Sequence, residues 1–226
     1  MDIPLPKETL LEQATFTGTV NDLLINVEGA DLKLIPTTTG IVSTVENKEG
    51  TYDWNKTSED FYFHQDGSHL MAKPEYVALL CKHPGDGKAV TAFTDARKIY
   101  TSLVKEFGYD FLHSLLAVYI DKDRNLYKRP FIEKNHNNEF YINTFHYIEP
   151  DINKIKEEDR RIFNLILPKL LAAYEQLQNE HIFHRHKFSK NDLVIFRNQE
   201  CHHSKTGMSP DDKERFLYRI WFSGNI

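Results

Sequence analysis

The run Phe63-His64-Gln65-Asp66-Gly67 sets an imidazole and a carboxylate two positions apart. In an extended chain alternate side chains leave from the same face, so both could reach one cation. A third donor lies far downstream in Cys201-His202-His203-Ser204, just after the apolar run Asn191-Asp192-Leu193-Val194-Ile195-Phe196. The residue types alone leave His202 and His203 both open. Two nitrogens and one oxygen on one face of an octahedron keep the remaining positions for reactants, as in non-haem iron(II) oxygenases, whereas zinc favours a closed tetrahedron. The chain has 11 histidines, so an isolated His-x-Asp pair reads equally well as a core or surface feature. Its meaning depends on what surrounds it.

Near the carboxyl end, Arg215-Phe216-Leu217-Tyr218-Arg219-Ile220-Trp221 reads as a strand with Arg215, Leu217 and Arg219 on one face. If that face is interior, two guanidinium groups must meet anions there, because unpaired buried charge is very costly. A dicarboxylate cosubstrate would meet that need. On a solvated edge strand the same arginines would carry no function.

The elements that must position these groups are mostly short strands: Tyr76–Cys81, Leu115–Ile120, Glu139–Ile142, Asp192–Phe196 and Arg215–Phe222. Thr94 or Asp95 can cap a helix with Ile99, Leu103 and Phe107 at spacing four, and Gly108 follows where a left-handed terminus is wanted. A second helix is expected over about Lys154 to Glu180, with Ile155, Ile162, Ile166, Leu170, Tyr174 and Leu177 on one face and a kink at Pro168. The pattern implies a mainly β fold, a sandwich or barrel with flanking α-helices. At 226 residues, without repeats or linkers, residues 1–226 are expected to form a single domain.

Composition narrows the function. Lysine and arginine total 28 against 33 acidic residues, a net charge of −5 without a basic block, which argues against a nucleic-acid partner. No apolar run reaches membrane-spanning length, and Met1 to Leu10 lack a signal-peptide pattern. With only Cys81 and Cys201, a cytoplasmic location is expected.

Taken together, the motifs resemble the taurine dioxygenase and clavaminate synthase-like group of iron(II)- and 2-oxoglutarate-dependent oxygenases, from Gly40 onward. His64-Gln65-Asp66-Gly67-Ser68 resembles the first ligand motif, and Pro74–Cys81 the strand that follows. Gly85–Asp95 is similar to the segment in which a threonine, here Thr91, bonds 2-oxoglutarate, although Ala89-Val90 replace the usual double glycine. The family's distal asparagine precedes its second histidine ligand by five positions. Asn198 and His203 keep that spacing and select His203 over His202, and alternation allows only one of the two to face the metal. Arg215 falls where the family pairs the far carboxylate of 2-oxoglutarate, and Arg219 resembles a second arginine that in relatives faces the metal side of the cosubstrate or the substrate. Phe145-His146-Tyr147 resembles a segment that lines the substrate side, with Phe145 and His146 as candidate contacts.

The resemblance implies a double-stranded β-helix, or jelly roll, of the clavaminate synthase-like kind. Fe(II) would be held by His64, Asp66 and His203, and 2-oxoglutarate by Thr91, Arg215 and Arg219. O2 would be the oxidant, and a small, amino-acid-like metabolite would be hydroxylated or otherwise oxidised. Related halogenases lack the carboxylate that Asp66 supplies, which favours hydroxylation. A cupin-like metal hydrolase would leave Thr91, Arg215 and Arg219 without roles. A non-catalytic jelly-roll sensor would have no use for open metal positions.

Overall fold

The computed structural model describes residues 10–37, 40–46, 61–68, 70, 73–120, 126–135, 138–143, 156–180, 184–206 and 214–224. In chain order the first elements are β1 (Leu10–Thr15), α1 (Val20–Gly29), β2 (Lys33–Ile35), β3 (Val42–Glu46), β4 (Phe61–His64), β5 (Tyr76–His83) and β6 (Val90–Asp95). Next come α2 (Ala96–Phe107), α3 (Tyr109–Ser114), β7 (Leu116–Ile120), β8 (Leu126–Pro130), β9 (Ile132–Lys134) and β10 (Phe140–Ile142). The last are α4 (Glu157–Asn179), β11 (His184–His186), β12 (Asp192–Arg197), β13 (Cys201–Thr206) and β14 (Phe216–Ser223).

Two antiparallel sheets dominate. The larger runs β1-β12-β5-β14, with β2 and β3 sharing the far edge of β14; the smaller runs β11-β6-β13-β4. Alternation along each strand sorts the apolar side chains into three layers. Val77, Leu79, Val194, Phe196, Leu217 and Trp221 of the larger sheet pack against Phe93 and Cys201 of the smaller, forming the core between them. The opposite face of the larger sheet, with Ala78, Leu80, Ile220 and Phe222, lies under Leu23 and Val27 of α1. The opposite face of the smaller sheet, with Phe63 and Ala92, is covered by α2 and α4 through Ile99, Leu103, Ile166, Leu170 and Tyr174. The functional arginines and histidines therefore lie between two sheets whose outer faces are both packed.

The expected helices form for the reasons read from the sequence. Asp95 caps α2, accepting from the Arg97 N–H at 2.9 Å, and Gly108 ends it at φ 83. The second helix begins at Glu157 and runs through Pro168, which cannot donate the usual backbone bond. The expected Ile155 lies outside the described residues. The strand readings hold within one or two residues, except that Arg215 sits just before β14 and Asp66 lies in the turn after β4. Ahead of the segment that carries the resemblance, residues 10–37 fold as β1, α1 and β2. There Thr19 and Asp22 form a reciprocal capping box at the start of α1. No helix among the described residues is long and apolar enough to cross a membrane.

Candidate active site

His64 and His203 are cross-strand partners on β4 and β13, and this register sets their rings side by side with centroids 4.2 Å apart. Asp66 arrives from the turn beyond β4. Its Oδ1 lies 3.7 Å from His64 Nε2 and 3.9 Å from His203 Nε2. Donor atoms of all three residues fall within 4.8 Å of one another, and all three residues are buried. These separations exceed a hydrogen bond. Three converging donors that do not satisfy each other fit a bound cation, and two imidazoles with one carboxylate suit iron(II).

The turn is held by Asn198. Its Oδ1 accepts from the Asp66 N–H at 2.8 Å, while Nδ2 donates to the carbonyls of Asp66 (2.8 Å) and Pro74 (3.0 Å). Gly67 turns the chain at φ 63, where a Cβ would come within 3.0 Å of the Pro74 ring. Further along, Arg129 donates to the carbonyls of Ser68 and Leu70 and pairs with Glu133. Lys73 joins Glu133, Tyr141 and Asn143. Between them these bonds tie the loop bearing Asp66 to the β8, β9 and β10 region.

The Asp66 carboxylate is gripped from the larger sheet. Arg219 donates to Oδ1 at 3.0 Å and Trp221 Nε1 to Oδ2 at 2.9 Å. Arg219 Nε in turn donates to Ser43 Oγ on β3 at 3.0 Å. Burial opposes ionisation of Asp66, but the Arg219 guanidinium with His64 and His203 overrides it and holds the carboxyl well below the usual range. Burial and the adjacent His64 push His203 well below the usual imidazole range, leaving it neutral and able to donate a lone pair to a metal.

His202 faces the other way. Its Nδ1 meets the Tyr174 hydroxyl of α4 at 2.8 Å, and its Nε2 is 3.3 Å from Gln65 Nε2, which also donates to the Ile142 carbonyl at 2.6 Å. With that amide as donor, His202 carries its proton on Nδ1. The open choice between His202 and His203 thus resolves by strand alternation. Gln65 and His202, which flank the candidate ligands, tie this region to β10 and α4 from behind.

His64 and His203 share a cavity with Thr91, Lys205, Arg215 and Arg219. The sequence-expected set is therefore brought together, with Arg215 buried to 2% exposure. The guanidinium of Arg219 engages the Asp66 carboxylate from this side. Phe145 and His146 lie outside the described residues. Sequence reasoning missed Trp221, Ser43 and Lys205. Alternation signalled two of them: Trp221 lies two positions from Arg219, and Lys205 two from His203.

Residues 4–221 match the model of the taurine catabolism dioxygenase TauD, TfdA family. The chain belongs to that family. The match begins well before Gly40, so the amino-terminal elements are part of the family fold. No curated protein resembles the chain closely enough in sequence to count as a match. Among solved structures, the chain is similar to PvcB, an Fe, alpha-ketoglutarate dependent oxygenase from an isonitrile synthetic pathway. The TM-score is 0.61 at 18% identity, over 91% of this chain and 71% of that one. A taurine dioxygenase from Burkholderia xenovorans superposes at TM-score 0.62 and 13% identity, over 91% and 73%. Asparagine oxygenase in complex with Fe(II), 3-hydroxyasparagine and succinate does so at 0.58 and 17%, over 80% and 56%. At such identities the likeness is one of fold. As a TauD, TfdA family member the chain is an iron- and 2-oxoglutarate-dependent dioxygenase.

Proposed function

We propose that His64, Asp66 and His203 hold Fe(II), that Thr91 and Arg215 hold 2-oxoglutarate, and that the enzyme hydroxylates, or otherwise oxidises, an unactivated C–H of a small, amino-acid-like metabolite. One observation carries this reading: two histidines of the metal cluster open onto the same cavity as Thr91 and the buried arginines. The strand order of the two sheets is consistent with the two halves of a jelly roll spanning residues 1–226 as one domain. The amino-acid-like substrate is supported by the fold likeness to asparagine oxygenase and taurine dioxygenase. Free Cys81 and Cys201 suit a reducing, cytoplasmic setting.

When bound, iron would activate O2, the oxidant, with 2-oxoglutarate giving up two electrons as it is converted to succinate and CO2, so that the second oxidising equivalent falls on the substrate. The protein contributes placement. Asp66 stays ionised and fixed because Arg219 and Trp221 each bond one of its oxygens. His203 stays neutral, with Phe196 packed at 4.9 Å between ring centroids. Arg215, with a planar fork that is always charged, is suited to take both oxygens of the far carboxylate.

The reading is tested by binding Fe(II) and 2-oxoglutarate anaerobically and following the visible band of their chelate. Removing one partner of a buried charge pair costs about 3–5 kcal/mol, roughly two to four decades in affinity. Arg215→Ala should therefore raise the 2-oxoglutarate KM by at least about two decades while Fe(II) still binds, and Arg215→Lys should recover little. An alanine variant with the parental constant would remove Arg215 as the anchor.

A further inference from the structure

We infer that Lys205 is a second cationic contact for the far carboxylate of 2-oxoglutarate, working beside Arg215 and making the pocket selective for dicarboxylic over monocarboxylic 2-oxo acids. The inference rests on the proposed identity of the cavity as the cosubstrate site. It concerns a residue that the motifs did not single out.

Four observations carry it. Lys205 lies on β13 two residues beyond His203, so its side chain leaves the same face of the strand as that histidine. It is the cross-strand partner of Thr91 on β6. It lines the cavity with Thr91, Arg215 and Arg219. It is buried, at 6% exposure.

The dimensions agree with the assignment. Two residues of strand advance about 6.6 Å, the reach of a five-carbon chain from a metal-bound end to its far carboxylate. Moving from His203 to Lys205 along β13 therefore leads away from the histidine pair along the wall of the cavity that Thr91 and Arg215 also line.

Charge points the same way. Among the described residues lining the cavity are Lys205, Arg215 and Arg219 but no carboxylate, and Arg219 is already engaged by Asp66 from behind. A wall with this balance favours a ligand carrying two negative charges. A monocarboxylic 2-oxo acid would use its one carboxylate near the metal and leave an apolar tail against the cations, a poor exchange for their hydration. Lysine adds a point charge with three donors, which complements the planar fork of Arg215 without competing for its in-plane geometry.

The test is direct binding to Mn(II)-loaded protein, which requires no turnover, by calorimetry with 2-oxoglutarate and with 2-oxopentanoate, the same chain without the far carboxylate. The parent should prefer 2-oxoglutarate strongly. Lys205→Met should weaken 2-oxoglutarate by about 10- to 100-fold, the loss of one charge-assisted hydrogen bond. It should leave 2-oxopentanoate where it was, and Lys205→Arg should restore most of the difference. Should the methionine variant fail to fold, Lys205→Gln, which keeps a polar side chain of similar reach, takes its place. A parent that binds both acids equally overturns the inference without any variant. So does a Lys205 variant that retains parental 2-oxoglutarate affinity, or one that loses affinity for both acids alike. A parent that binds no 2-oxoglutarate in the presence of metal sinks the cosubstrate site itself, a result distinct from a neutral Lys205 variant in a parent that binds.

Discussion

Asn198 fixes the turn that carries a proposed metal ligand without contributing a donor of its own. Its three hydrogen bonds fix both backbone groups of Asp66 and the Pro74 carbonyl, so the carboxylate starts from a rigid point before Arg219 and Trp221 orient it. Asn198→Asp keeps the shape but sets a carboxylate against two carbonyl oxygens. Groups that orient metal ligands typically contribute about 10- to 100-fold in metal affinity, and a drop of that size in Fe(II) or Co(II) titrations is expected. Unchanged affinity would show the turn to be held by other bonds. Lys73 gives a pH-dependent counterpart. Burial lowers its ammonium to about 8 despite Glu133, while Glu133, although burial opposes this, is itself lowered by Lys73, Tyr141 and Arg129. The two directions conflict over whether the pair is favourable. The nearly complete burial of Lys73, against a more accessible Glu133, makes the cost to the ammonium the stronger effect. A base whose folded pKa is depressed burdens stability fully below about pH 8 and is relieved as pH rises toward its ordinary value of 10.5. The stability of the parent relative to Lys73→Met should therefore rise between pH 8 and 10, measured by urea unfolding at each pH. A flat difference would mean the ammonium is not strained.

At the scale of elements, what was legible depended on whether a segment carries its own signal. The helix α2 announced itself by an apolar spacing of four between Asp95 and Gly108, and α4 by a broad apolar face. The central strands β5 and β12 were legible as apolar runs because both their faces are packed. By contrast β13, Cys-His-His-Ser-Lys-Thr, reads as polar. It is a strand only because its inward face serves the site and its outward face meets Tyr174. That is why Lys205 went unnoticed while His203 was found by its distance from Asn198. The capping box of α1 was present as Thr19 and Asp22, but a helix of ten residues is too short for its apolar positions to establish a helical period. Since α4 serves packing, Leu170→Ala, at 3% exposure, should cost roughly 2–5 kcal/mol in urea unfolding and leave Fe(II) affinity unchanged. A stable variant would place the helix's buried face elsewhere.

For the whole molecule, the site is where the two sheets are joined by polar chemistry and not by packing alone. His64, His203, Thr91 and Lys205 belong to the smaller sheet; Arg219 and Trp221 belong to the larger, with Arg215 just ahead of β14. Asp66, in the turn after β4, is bonded across to Arg219 and Trp221. A metal between the histidines and Asp66, with a dicarboxylate reaching Arg215, would close a second set of links between the sheets, and ligands that bind only the folded state raise its stability by mass action. At about one hundred times the dissociation constant the gain is about 2.7 kcal/mol, and for a chain of this size each kcal/mol moves the midpoint by roughly 2–4 °C. Mn(II), and then 2-oxoglutarate added to the Mn(II)-loaded protein, should therefore each raise Tm by roughly 5–11 °C, reversibly on chelation. The increments should separate by residue. His203→Ala should lose both, because without the metal the keto end has nothing to chelate. Arg215→Ala should keep the Mn(II) increment and lose most of the 2-oxoglutarate one. If 2-oxoglutarate stabilised the metal-free parent as much as the metal-loaded one, the acid would be held by the cations alone, and the proposed metal would not link it to the histidines of the smaller sheet.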